Sequence, residues 1–155
     1  MSSEKPYGTR AIEENQLESW PNPASDRPYL VSFDIPEFTC LCPRSGFPDF
    51  ALIKIRYQPR DLIVELKSLK LYINGFRNVA ISHEGAVNRI LDDLVAVLAP
   101  QWMRVTGDFT VRGNIHTVIT VEYGSRLTSS GHGDAWPRAT AGSPSGVGGS
   151  APGPQ

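Results

Sequence analysis

Cysteine is scarce in this chain: only Cys40 and Cys42 occur among 155 residues. Two thiols cannot by themselves close a structural zinc site, which takes four ligands. Long apolar runs are absent too, and none approaches the roughly 18 residues that a membrane-spanning helix needs. The chain has no basic tract and a formal charge of −1, so direct contact with nucleic acid is not expected. No G-x-G-x-x-G occurs, which excludes the fingerprint of a Rossmann dinucleotide site. Internal repeats are missing. The opening MSSEKPYGTR has no apolar core, so no secretory leader is expected. A cytoplasmic home follows as the default, and there the two thiols stay reduced rather than bridged.

What is present suits an ordinary globular domain, with 40 % apolar residues. Residues 1–28 are polar and carry Pro21, Pro23 and Pro28, and they read as an irregular arm. Residues 129–155 are rich in Gly, Pro and Ser, with little to bury beyond Trp136 and Val147. Such a tail cannot repay the entropy of ordering and is expected to be disordered. One folded domain, 29–128, lies between.

Within it, Tyr29–Ile35 reads as a short strand. Ala51, Ile53, Ile55 and Tyr57 alternate with Lys54, Arg56 and Gln58, a half-buried strand that Pro59 closes. Leu62–Glu65 reads as a strand edge. Leu66, Leu69, Ile73 and Phe76 then fall at helical spacing. Ser82 is placed to cap a second helix with a stripe of Val87, Ile90, Leu91, Leu94 and Leu98, ended by Pro100. Met103, Val105, Phe109 and Val111 alternate up to Gly113-Asn114, a two-residue hairpin pair, and Ile115, Thr117, Ile119, Val121 and Tyr123 alternate on the return. The expected fold is α+β: an antiparallel four-stranded sheet with two helices on one face. Its open edges would be closed by pairing between copies into a barrel.

Both thiols fall in Phe38–Phe50, FTCLCPRSGFPDF. Pro43, Gly46 and Pro48 make this loop turn back, which can bring Asp49 beside Cys42. A thiol is a strong nucleophile and a neighbouring carboxyl can shuttle its proton. A buried small residue and a turn cap would show the same spacing, so the residues alone leave both readings open. Cys40 reads as packing. Glu84 follows His83 at the start of the long helix, where the macrodipole already favours a carboxylate. The pair could also hold an N–H/NH2 edge and relay a proton. Lys67, Lys70, Asn74 and Arg77 share a helical face, either a solvated surface or a seat for phosphate.

Separate segments then coincide in order. ELKSLKLY at Glu65–Tyr72, FRN at Phe76–Asn78 and HE at His83-Glu84 resemble the signature of the NADPH-dependent 7-cyano-7-deazaguanine reductases, the nitrile reductases of queuosine biosynthesis. EFTCLCPRSGFPDFA resembles that family's E-F-T-x-x-C-P-x-[ST]-G-x-P-D-F, and GDFTVRG its late strand. The resemblance implies Cys42 as nucleophile and Asp49 as proton donor, with His83 supplying or relaying protons. It implies substrate contacts at Val64, Glu65, Leu66, His83 and Glu84, and NADPH phosphates held by Lys67, Lys70 and Arg112. No metal is implied. The family's tunnelling fold implies a homo-oligomer of the short, single-module kind, two stacked pentamers with active sites between subunits. The implied chemistry is attack of the Cys42 thiolate on the nitrile to give a thioimide, then reduction to the amine at a cost of two NADPH. Two other readings stand beside it: a zinc-dependent cyclohydrolase of the same fold, and a thiol-bearing purine- or pterin-binding module without activity.

Overall fold

The alternation and caps of the sequence resolve into defined elements in a computed structural model, which describes residues 4–127. Along the chain run helix α1 (Tyr7–Glu14), strands β1 (Ser19–Pro21), β2 (Val31–Leu41), β3 (Pro48–Gln58) and β4 (Leu62–Val64), and helix α2 (Leu66–Gly75). A 3-10 turn at Phe76–Asn78 follows, then helix α3 (His83–Leu98) and strands β5 (Trp102–Arg112) and β6 (Ile115–Gly124). The main sheet is antiparallel in the order β2-β3-β5-β6, so β2 and β6 are its edges. The class is α+β.

One face of this sheet is the core. Ala51, Ile53, Ile55 and Tyr57 of β3 and Met103, Val105 and Phe109 of β5 are buried on it. Leu52, Lys54 and Arg56 remain partly exposed on the other face. Helix α3 lies over β5 and β6 and buries Val87, Ile90, Leu91, Leu94 and Leu98. Burial of each such side chain contributes roughly 1.5–3 kcal/mol. The Ser82 hydroxyl caps α3 by accepting the Gly85 N–H at 3.0 Å, and Ala99 ends it in the left-handed region at φ 42°. Gly107 permits the close approach of α3 to β5. A Cβ there would stand 2.5 Å from Cγ2 of Val87 and 2.9 Å from the Phe109 ring.

Three expectations change. The strand predicted to end near Ile35 continues to Leu41, because a bulge between Ile35 and Phe38 absorbs Pro36 and Glu37. Proline is tolerated there because β2 is an edge and one side of it needs no ladder donor. The arm at 1–28 is not irregular throughout: it carries α1 and β1. Strand β1 pairs with β4, with Ser19 opposite Val64 and Pro21 opposite Leu62, and Asn15 donates to the Ser68 carbonyl at 3.0 Å. The backbone groups of β4 thus find partners in the arm rather than in the main sheet. Val111, predicted on the core face with Phe109, is 59 % exposed. One extra residue on β5 between the pairs Phe109–Thr117 and Arg112–Ile115 causes this. Such a bulge exchanges the faces of everything beyond it. The stretch 129–155 lies outside the described residues.

Candidate active site

The core face does not end in apolar residues. Continuing the alternation of β3 one pleat beyond Ala51 places Asp49 on that face, where its side chain is only 5 % exposed. Across the ladder stands Cys40, fully buried, and two residues further lies Cys42. The loop after Cys42 closes tightly. The Cys42 N–H donates to the Phe47 carbonyl and the Gly46 N–H to the Cys42 carbonyl, both at 2.8 Å. Gly46 takes φ +73°, which favours glycine at that turn.

Helix α3 delivers its first residue to the same place. Leu41 exchanges backbone hydrogen bonds with Val79 and Ile81, each 3.0 Å, so the segment leading into α3 lies along the end of β2. His83 then stacks on Phe109, with centroids 3.9 Å apart and planes 14° from parallel. Its Nε2 is 3.3 Å from Oδ2 of Asp49. Nη1 of Arg112 meets Oδ1 of the same carboxyl. Cys42, Asp49, His83 and Arg112 line one open cleft of about 660 Å³.

The two thiols differ electrostatically. The Ser45 hydroxyl, then the backbone N–H groups of Ser45 and Arg44, and last the positive charge of Arg112 hold the Cys42 thiol below its usual range. That is the direction a nucleophile needs. Burial, with the charges of Asp49 and Cys42 adding, pushes Cys40 up to about 11. Cys40 packs; only Cys42 is both reachable and activated.

The remaining candidates lie elsewhere on the same chain. Glu65 caps α2, its carboxyl accepting from the Lys67 N–H at 2.8 Å and the Ser68 N–H at 2.6 Å. These donors hold it below the usual carboxylate range. Val64 is buried and Leu66 exposed. Glu84 is exposed in the first turn of α3. The basic stripe is divided. Lys70, Asn74 and Arg77 line a cleft of about 520 Å³ between β2 and α2. Lys67 lines another of about 570 Å³, with Glu65 and Trp20, beside α1. Neither cleft holds Cys42. Arg112, expected at a cofactor phosphate, is engaged with Asp49 instead. Its pairing escaped the sequence because the bulge that re-aims it leaves no mark in the periodicity. Among the described residues, no three His, Cys, Asp or Glu side chains gather where they could hold a metal ion.

Comparison with known proteins bears on this geometry. Residues 48–128 match the family described as "QueF-like protein". The chain is 58 % identical over 120 residues to the NADPH-dependent 7-cyano-7-deazaguanine reductase of Aquifex aeolicus (strain VF5), covering 77 % of this chain and 93 % of that one. It is 52 % identical over 126 residues to the protein of that name from Prochlorococcus marinus (strain MIT 9303), covering 81 % and 93 %. Among solved structures, the apo archaeosine synthase QueF-Like superposes with a TM-score of 0.60 at 22 % identity, over 65 % of this chain and 99 % of that one. That likeness is one of fold.

Proposed function

The chain belongs to the QueF-like protein family, and on that premise we propose that it reduces the nitrile of 7-cyano-7-deazaguanine to the aminomethyl group, with NADPH as reductant, in queuosine biosynthesis. The observation that carries this reading is the single cleft in which an activated thiol, Cys42, is joined by a buried carboxyl and a histidine. A nitrile carbon accepts hydride poorly until a nucleophile has added to it.

Cys42 attacks that carbon. The C–S bond forms, one C–N π pair moves to nitrogen, and Asp49 supplies the proton that nitrogen takes. When bound, NADPH would supply hydride chemistry to this site, one equivalent for the thioimide and a second for the imine. Between them the nitrogen lone pair expels the sulfur, and Cys42 recovers its thiolate. His83, 3.3 Å from Asp49, returns protons to the carboxyl as the nitrogen consumes them. Asp49 is buried and His83 is backed by the Phe109 ring, which shields the acid side of the cleft.

For NADPH, the chain offers Lys70 and Arg77 in one cleft and Lys67 in the next. None of the three is ion-paired with a carboxylate among the described residues, so Lys67 and Lys70 fit the role of phosphate contacts as point charges and Arg77 as a bidentate fork. Glu65 and Glu84 would hold the deazaguanine edge, with Val64 and Leu66 against its ring. Glu65 and Cys42 lie in separate clefts of one chain. We therefore assign the complete site to two copies, assembled by edges β2 and β6 into rings, two stacked pentamers in all, in the cytoplasm. NADPH consumption on addition of 7-cyano-7-deazaguanine, with the amine identified by mass, tests the reaction. An active protein whose Cys42→Ala variant still turns over would remove the covalent step.

A further inference from the structure

Arg112 reaches three partners from the tip of the β5–β6 hairpin. Nη1 contacts Oδ1 of Asp49, Nη2 stands 3.3 Å from Oγ of Ser45, and the guanidinium lies 6.0 Å from the centre of the Phe47 ring. Its side chain is 41 % exposed and Asp49 only 5 %. The contact exists only because of the extra residue on β5. Without it Val111 would occupy the core face and Arg112 would point to the far side of the sheet. The fold therefore introduces an irregularity whose effect is to aim one cation at the acid and at the loop that carries the thiol.

We propose that Arg112 is the positioning residue of this site: it fixes Asp49 and ties the loop of Ser45 and Phe47 to it, so that the Cys42 sulfur and the acid address the carbon and the nitrogen of one nitrile. The proposal rests on the reading that Cys42 and Asp49 carry the reaction. Asp49 is held from two sides, by Arg112 on Oδ1 and His83 on Oδ2. The carboxyl is thereby fixed while it carries the proton for the substrate nitrogen. As the C–S bond forms and nitrogen gains a pair of electrons, that proton passes to nitrogen, and the Asp49 carboxylate left behind is stabilised by the cation already in contact with it. The same cation adds to the donors of Ser45 and Arg44 in favouring the thiolate of Cys42. The other charged or titratable groups about the thiol are Arg44, Asp49, His83 and Cys40. Arginine suits the task because its planar fork presents separate N–H groups to Asp49 and Ser45 in one fixed geometry, where an ammonium group is a compact point charge with freely rotating donors.

Arg112→Met, Arg112→Gln and Arg112→Lys in the full chain test this, each checked for folding by circular dichroism. Two readouts are needed: the pH profile of Cys42 alkylation by iodoacetamide, with the adduct located by mass spectrometry, and kcat and KM with the cyano substrate. The expected result is slower alkylation at neutral pH, about fivefold, with the profile moved to higher pH. A kcat lower by about 10²-fold should accompany it, with KM for NADPH changed by less than about threefold. Arg112→Lys should restore most of the alkylation but little of kcat. Should Met fail to fold, Gln carries the same readouts. A KM for NADPH raised about tenfold or more, with kcat and the alkylation profile unchanged, would make Arg112 a phosphate contact and overturn the proposal. Unchanged values throughout would also overturn it. If the unaltered protein reduces no nitrile, the proposed function fails on its own. The alkylation shift would then still read out the coupling of Arg112 to the Cys42 loop.

Discussion

Nε2 of His83 stands 3.3 Å from Oδ2 of Asp49, although 34 positions separate them in the chain. The contact joins the first residue of α3 to the second of β3 and is held by the stacking of His83 on Phe109. The proposed proton relay and the packing therefore meet in one side chain, and they can be separated. His83→Ala should lower kcat about 10²-fold and also destabilise the protein. His83→Phe should keep the stack and most of the melting temperature while leaving kcat low. Equal recovery of both in His83→Phe would deny the imidazole a part in proton transfer.

The two cysteines should separate as cleanly. Cys42→Ala should abolish turnover and any covalent adduct with the cyano substrate. Cys40→Ala should leave both in place while destabilising the fold by ~1 kcal/mol through the small cavity it opens. Intact-mass measurement after incubation with the substrate, with and without NADPH, distinguishes them.

Thiol reactivity should follow the same division across pH. A thiol held below its usual range is already partly thiolate near neutrality, and its reactivity falls as pH drops through the lowered value. Cys42 should therefore be carboxamidomethylated readily at neutral pH and progressively less in acid. Ser45→Ala, which removes the largest contribution, should move the midpoint up. Cys40, buried and at about 11, should remain unmodified until the protein unfolds.

Gly107→Ala should destabilise by roughly 1–3 kcal/mol, because the added carbon meets Val87 and the Phe109 ring. Since Phe109 carries His83, kcat should fall with stability. A variant of unchanged melting temperature would mean that α3 does not rest as closely on β5.

Glu65 offers a test of linkage. Its carboxyl is held below the usual range, chiefly by the Lys67 and Ser68 N–H groups. The stability it contributes is thus fully present above the ordinary carboxylate pKa and lost as pH falls through the lowered one. Glu65→Gln should melt at a lower temperature than the unaltered protein at neutral pH, and the difference should shrink in acid. A difference independent of pH would show that the charge of Glu65 does not stabilise α2.

By itself the sequence determined whatever depends on near neighbours. The alternation in β3 and β6, the cap at Ser82, the stop at Pro100 and the hairpin at Gly113-Asn114 all rest on residues a few positions apart. The segments that mark the family are local in the same way, and Cys42, Asp49 and His83 were singled out through them as candidates that the fold then sets around one cleft. Tertiary structure alone decided what depends on distant pairing. It continued β2 past Pro36, because an edge strand can lose a donor. It folded the arm onto β4, whose backbone groups required a partner. It separated Lys67 from Lys70 by setting α1 and β1 against one side of α2 and β2 against the other. It also turned Arg112 toward Asp49 through one added residue in β5. A strand has a side-chain period of two, so a single insertion exchanges its faces, and no count of apolar positions within that strand records it.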